Sequence, residues 1–274
     1  MNKRIRRMGK TLVLAGGVLL LASWGAWGAP TVVATHSVLG ELAEVVGGDL
    51  IDVVTIIPSG FCPGHYDLSP GDYAALIHAD LVLYSGIEPW VEELGDATKE
   101  GALVRFSGSW STPDAAMGQA TAIADLLSER IPEGAGTFAA NLGAYVAELT
   151  TVGESLRERA AALGVSEVPV VCMQWQVDFV SWIGFDIAVT YGMPEGLSVR
   201  DLVDLAAAGV AANAVLVIDN LQSGIEFGGK LAREVGAVHV VLSNFPGALP
   251  KTATIIDLFV RNAEALFTAI EPIE

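Results

Sequence analysis

One arrangement constrains this chain more than any other. Strand-like and helix-like segments alternate along it, and the alternation is broken once by a long helical stretch. Residues 31–34 (TVVA) form a short β-branched run closed by Thr35-His36-Ser37, and Leu39, Leu42, Val45 and Val46 then recur at helical spacing. Residues 51–57 (IDVVTII) predict a second strand that ends at Pro58-Ser59-Gly60. After the loop FCPGHYDLSPGD come a helix over about 71–78, a strand over 81–84, a helical opening over 89–94 and a strand over 103–106. Such alternation predicts a parallel sheet with helices on both faces.

From 134 to 163 the strand signal disappears. Phe138, Leu142, Tyr145, Leu149, Val152 and Leu156 follow at spacings of three and four, which predicts one amphipathic helix of about 28 residues, ~40 Å long at 1.5 Å per residue. Beyond it the alternation restarts: strands over 168–172, 187–190, 214–218 and 238–242, helices over 176–183, 198–208, 224–235 and 253–270, with Ser198 as an N-cap. The fold class is therefore α/β: two Rossmann-like lobes with parallel sheets, joined by one long backbone helix. The boundaries read as an N-terminal lobe over 29–133, the connecting helix over 134–164 and a C-terminal lobe over 165–274. Ligands of such folds sit at the carboxyl ends of the strands, so two such edges are expected to face one another across a cleft.

The first 28 residues read as an address. Lys3, Arg4, Arg6, Arg7 and Lys10 precede an apolar run, TLVLAGGVLLLA, and the small–x–small triplet Ala26-Trp27-Gly28. That is a signal peptide, with cleavage near Ala29 and export to the periplasm or another extracytoplasmic space. The run is short for a membrane span. Both cysteines, Cys62 and Cys172, lie far from the cleavage point, so a lipid-anchored start is not expected. The whole chain has a formal net charge of −17, and five of its 15 cations lie in this leader, so the remainder is more acidic still. An acidic body excludes nucleic acid as a partner, since neutralising phosphates needs a basic face.

The chemistry-bearing residues fall at the predicted carboxyl edges: His36, Cys62 and His65 in the loop after the second strand, Cys172 with Met173 and Gln174, Asp219-Asn220, and Ser243-Asn244. Pro63-Gly64 between Cys62 and His65 is a turn former that lets both side chains point one way. Thiolate and imidazole are zinc ligands, and thiolate with thioether suits Cu(I). In an exported protein the two cysteines have an alternative, a disulfide between the lobes. His78 and His239 read as structural.

The order of segments resembles the periplasmic solute-binding proteins of zinc- and manganese-type ABC importers, the cluster A family. The stretch VVATHSVLGELAEVVGGDLIDVVTIIP is similar to that family's opening strand–helix–strand. CPGHYDLSPGD takes the place of its Asp-Pro-His-x-Tyr-Glu-x-x-Pro-x-Asp loop. HADLVLYSGIEPWVEEL, IPEGAGTFAANLGAYVAEL and TATIIDLFVRNAEAL resemble later segments.

The family holds its metal with three His and a carboxylate, and the resemblance carries the first His to His65. The second falls at Gly108-Ser109 and is absent; the third is replaced by Cys172 or Met173; the carboxylate falls at Ser243-Asn244 and is uncharged. The resemblance thus implies a rewritten site with Cys62, His65, Cys172 and His36 as ligands. Met173, Gln174, Asn220 and Asn244 follow as further ligands or cleft lining.

The implied function is capture of a transition-metal ion, zinc foremost and Mn, Fe or Cu next, and its delivery by a monomer to an ABC permease in the cytoplasmic membrane. One alternative is a binding protein for a metal chelate, a corrinoid or another small organic ligand. Another is a thiol- or metal-dependent enzyme, which the absence of a C-x-x-C pair and of hydrolase or P-loop motifs disfavours, so no enzymatic activity is expected.

Overall fold

The structure is a computed structural model and describes residues 28–271. The expected signal segment therefore lies, Gly28 apart, outside the described residues. Within them run two four-stranded sheets, parallel throughout. The first has the order β2-β1-β3-β4, with β1 Thr31–Ala34, β2 Asp52–Thr55, β3 Leu81–Tyr84 and β4 Leu103–Arg105. The second has the order β6-β5-β7-β8, with β5 Pro169–Met173, β6 Asp186–Tyr191, β7 Leu216–Asn220 and β8 Val238–Leu242.

Each lobe repeats the same winding. In the first, the order reverses between β1 and β3; in the second, between β5 and β7. A crevice opens at such a reversal because the flanking connections leave to opposite sides, and ligands collect there. The strand centres are Val- and Leu-rich and buried on both faces, as parallel strands under two helix layers must be.

The helices of the first lobe are α1 Ser37–Gly47, α2 Pro70–His78, α3 Val91–Leu94 and α4 Pro113–Arg130. Then comes α5, Ala135–Ala162, 28 residues long. The second lobe adds α6 Val177–Ile183, α7 Val199–Ala211, α8 Glu226–Val235 and α9 Ile255–Ile270. Three of these starts are fixed by reciprocal caps: Ser69 with Asp72, Ser198 with Asp201, and Thr254 with Asp257.

The sequence reading overlooks α4. Half of its buried positions are alanines (Ala116, Ala120, Ala124), so hydrophobic periodicity is faint, while Thr112 capping the Ala115 amide ahead of Pro113 is the signal that marks it. Several bounds also shift, the strand expected from 214 beginning at Leu216 and the helix expected from 253 at Ile255. The helix expected from 224 begins at Glu226, because Gly224 has φ +82° and cannot be helical. The strand expected over 51–57 is in register with β1 over Asp52–Thr55, and the Ile56 and Ile57 amides continue the bonding to the Ala34 and Thr35 carbonyls at 3.0 and 2.9 Å.

One apolar cluster runs from Val32 and Leu39 through Phe138 and Leu149 of α5 to Phe179, Phe259 and Phe267. It unites helices and strands of both lobes. Burying each such Phe contributes roughly 2–3 kcal/mol.

Candidate metal-binding cleft

A cavity of about 630 Å³ lies between the carboxyl edges of the two sheets. From the first lobe it is lined by Cys62, Gly64 and His65 of the loop after β2, by Ser85 and Ile87 after β3, by Arg105 at the end of β4 and by Ser107 to Ser111 beyond it. The second lobe contributes Gln174, Trp175 and Asp178 after β5, Met193 after β6, Asn220, Gln222 and Ser223 after β7, and Asn244 and Phe245 after β8.

The Cys62–His65 turn is a single 3-10 turn with Pro63 at its start, closed by the His65 amide donating to the Cys62 carbonyl at 3.0 Å. Tight closure brings both side chains to the same cavity, as the sequence predicts. His65 is exposed and Cys62 half-buried. Counting back from Tyr66 and Pro70 shows one correction. Set against the eleven-residue loop that CPGHYDLSPGD resembles, with Tyr66 and Pro70 in place, the resemblance carries that loop's His to Gly64 rather than His65, which stands one position later.

Cys172 does not reach the cavity. It is the fourth residue of β5, fully buried, its side chain in the large core cluster with Val170 and its thiol donating to the Met173 carbonyl at 3.4 Å. Burial first, and the Asp219 carboxylate second, push that thiol well above its ordinary range, so it stays protonated. Met173, one residue on, turns to the opposite face of the sheet beside Tyr191 and Leu231, and its sulfur accepts the Trp175 amide at 3.2 Å. Alternation along the strand sends the two side chains into opposite cores. Both cysteines are free thiols, so the inter-lobe disulfide is not formed.

His36 is also behind the wall. It is buried, with its ring 4.8 Å from that of Trp110 and 5.3 Å from that of Phe245, and neither ring nitrogen has a partner among the described residues. Burial lowers it to about 4, so it is neutral at pH 7, although the Glu88 carboxylate opposes the shift. Glu88 escaped the sequence reading as a structural centre. Its burial favours the neutral acid, yet hydrogen bonds from Thr35, the Ser85 and Gly86 amides and the Ser85 hydroxyl, together with nearby His36, hold it below the usual carboxylate range. It clasps the ends of β1 and β3 at their switch point.

The floor of the second lobe is an amide network. Gln176 donates from one nitrogen to Asn220 Oδ1 at 3.1 Å and Asn244 Oδ1 at 2.8 Å. Asn220 donates to Ser223 Oγ at 2.9 Å. Gln222 donates to Ser243 Oγ at 2.9 Å and, across the cleft, to the Ser59 carbonyl at 3.0 Å, while its own oxygen accepts the Asn244 amide at 3.2 Å. Two further bonds cross the cleft: Trp110 Nε1 to the Asn244 carbonyl at 3.1 Å, and Ser109 Oγ to Asp178 at 2.9 Å. Asp219 and His239, paired at 3.2 Å, do not line the cavity.

Among the described residues, no three His, Cys, Asp or Glu side chains are grouped so as to hold a metal ion. The lining instead offers a thiol, an imidazole, the Met193 thioether, amides and hydroxyls.

Two parallel α/β lobes joined by one long helix, with a cavity between the carboxyl edges of their sheets, define a two-lobed cleft protein. The family model described as "Zinc-uptake complex component A periplasmic" (ZnuA) matches residues 32–269, and the chain belongs to that family. Among curated proteins it is similar to the manganese-binding lipoprotein MntA of Halalkalibacterium halodurans, 26% identical over 158 residues, 51% of this chain and 53% of that one. It is likewise similar to the iron ABC transporter substrate-binding lipoprotein MtsA of Streptococcus pyogenes, 26% identical over 203 residues, 60% of this chain and 66% of that one. The chain spans about half the length of the first curated relatives it matches. Two solved structures share the fold. A periplasmic metal binding protein from Candidatus Liberibacter asiaticus superposes with a TM-score of 0.75 at 16% identity, over 88% of this chain and 99% of that one. A zinc-bound deletion mutant of ZnuA does so with 0.74 at 21% identity, over 90% and 100%.

Proposed function

We propose that the chain is an extracytoplasmic solute-binding protein of an ABC importer, capturing a transition metal between its lobes and handing it to a membrane permease. The observation that carries this reading is the meeting of Cys62 and His65 on one turn at the cavity of a ZnuA-family chain. Relatives described as binding manganese or iron, and a neighbour with zinc bound, support a metal as cargo. Zinc is the first candidate because thiolate and imidazole are its usual ligands.

In this reading Cys62 and His65 are the protein's donors to the metal, with the Met193 sulfur, Gln174, Asn220 and Asn244 around them. Cys172 and His36 are not kept as donors, since both lie behind the wall. Export follows from the leader: the signal is removed near Ala29, and the mature chain works as a monomer outside the cytoplasm. No helix among the described residues is long and apolar enough to cross a membrane. The cleft binds and releases; it performs no catalysis.

Coordination by Cys62 requires loss of its thiol proton, so affinity should rise with pH. The test is metal retention by the purified, reduced protein offered Zn²⁺, Mn²⁺, Fe²⁺ and Cu⁺, free and in chelate-buffered form. Retention that falls at least tenfold in Cys62→Ser and His65→Gln supports the reading. Failure to retain any of these metals in either form overturns it.

A further inference from the structure

Charge first limits what this cleft can hold. The permanently charged side chains lining it are one cation, Arg105, and one anion, Asp178, and the latter already accepts the Ser109 hydroxyl at 2.9 Å. A bare dication entering here would meet fixed charges that cancel. Withdrawing such an ion from water without compensating charge is costly.

Three side-chain carbonyls of the floor already accept hydrogen bonds. Asn220 Oδ1 and Asn244 Oδ1 both accept from Gln176, and Gln222 Oε1 accepts the Asn244 amide. Each bond takes up one of a carbonyl's two lone pairs and weakens it as a ligand for a cation, leaving Gln174 Oε1 as the side-chain amide oxygen of the lining without such a bond among the described residues. What Asn244 keeps uncommitted is its amide N–H pair, which makes no hydrogen bond among the described residues. The floor is thus biased toward donating, which suits an anion.

Arg105 is held ready for one. It ends β4, and its Nε donates to the Ser85 carbonyl at 3.4 Å. A Cβ on Gly86, which has φ +91°, would overlap the guanidinium, so glycine there lets Arg105 lie flat against the backbone. Arg105 takes part in none of the ion pairs among the described residues. A positioned guanidinium without a carboxylate partner matches the fork geometry of a ligand carboxylate.

Volume points the same way. A ligand shell at ~2.0–2.3 Å needs a close-fitting cage, whereas a cavity of about 630 Å³ with Trp110, Trp175 and Phe245 in its walls has the size and lining of a small-molecule site.

From these features we infer that the cargo enters as a metal complex of a small carboxylate chelator. The chelator's carboxylate pairs with Arg105 and the amide floor, and Cys62 and His65 take the coordination positions that the chelator leaves open. This rests on the reading of the cleft as a metal site. It also explains how the family scaffold works with few charged ligands of its own: the chelator brings the missing anionic donors.

The experiment is calorimetric titration of the purified, reduced protein with Zn²⁺ alone, zinc citrate, zinc nitrilotriacetate, and each chelator without metal. It is repeated on Arg105→Gln, with circular dichroism to confirm folding. The expected result is at least tenfold tighter binding of one complex than of the free ion or of its chelator, with that advantage lost in Arg105→Gln while free-ion affinity is not reduced, since removing the cation from the lining does not disfavour a bare dication. Free Zn²⁺ binding as tightly as both complexes overturns the inference and leaves the metal reading standing. A complex advantage that survives in Arg105→Gln overturns the role given to Arg105. Chelators binding equally well without zinc overturn the metal part. Absence of binding in every arm overturns the inference and counts against the metal reading too.

Discussion

The Glu41 carboxylate of α1 accepts the backbone amide of Ile255, the first residue of α9, at 2.7 Å. The bond ties the first helix of one lobe to the last helix of the other, and the second carboxylate oxygen has no partner among the described residues. Burial is the main cause that raises Glu41 to about 8, with Glu44 and Asp257 nearby adding to it and the Ile255 amide opposing it. The folded state therefore holds this proton more tightly than the unfolded chain. Stability conferred by the neutral acid is complete below the ordinary value of 4.5 and is lost as pH rises toward about 8. Glu41→Gln should flatten this slope, gaining on the order of 2 kcal/mol at pH 8 relative to the parent, after discounting for partial exposure. Urea midpoints measured from pH 5 to pH 8.5 check it; parallel curves for both proteins would refute it.

The two thiols should differ sharply in reactivity. Cys62 lines the cavity, whereas Cys172 is fully buried and kept protonated. Brief iodoacetamide treatment of the native protein should add one label, at Cys62, and treatment in guanidinium should add two. Mass spectrometry reads the count, and Zn²⁺ should slow the native reaction at least tenfold. Native labelling of Cys172 at a comparable rate would contradict its placement.

Gly64 stands where the family loop has its His, and an added Cβ there meets only the Ile87 carbonyl at 3.6 Å and Cys62 Sγ at 3.9 Å, which is ordinary contact. Gly64→His should therefore fold and bring a second imidazole beside Cys62 and His65. Affinity for free Zn²⁺ should rise tenfold or more, as competition with a chromophoric chelator would report. Unchanged affinity would mean that this turn does not face the metal.

Asn262 of α9 is buried and holds the end of β8 through two bonds: its Nδ2 donates to the Ser243 carbonyl at 2.9 Å, and its Oδ1 accepts the Ser243 amide at 3.2 Å. Asn262→Ala leaves both backbone groups unpaired and should cost about 2–4 kcal/mol. Denaturant unfolding measures it, and a loss under ~0.5 kcal/mol would show that water replaces the side chain.

The architecture was largely legible in the sequence because its signals are local. Val32, Val33 and Ala34, or Val170 and Val171, are runs that only a doubly covered parallel strand needs. The spacing of Phe138, Tyr145, Leu149 and Leu156 gave α5 close to its true length. Helix α4 escaped because alanines pack against its neighbours without marking a period. The site was half legible. Cys62 and His65 share one turn, so their meeting follows from local geometry. Cys172 failed for the opposite reason: whether a residue at the end of a strand faces cleft or core depends on where the strand stops, and β5 runs one residue past it to Met173. Arg105 was invisible as a site residue, since only the pairing of β3 with β4 sets it beside Ser85.

The apolar cluster that threads α5 has a last consequence. Phe138 and Leu149 touch the same continuous interior as Phe179 and Phe267, so the largest core is common to both lobes, and only a smaller cluster on the other face of each sheet (around Val33 and Val82, and around Val171 and Val217) belongs to one lobe alone. Heat should meet a single cooperative unit, with one calorimetric transition for both halves. For the same reason the cleft has no free joint. Parting the two lobes would have to bend α5 or open the core it shares with both.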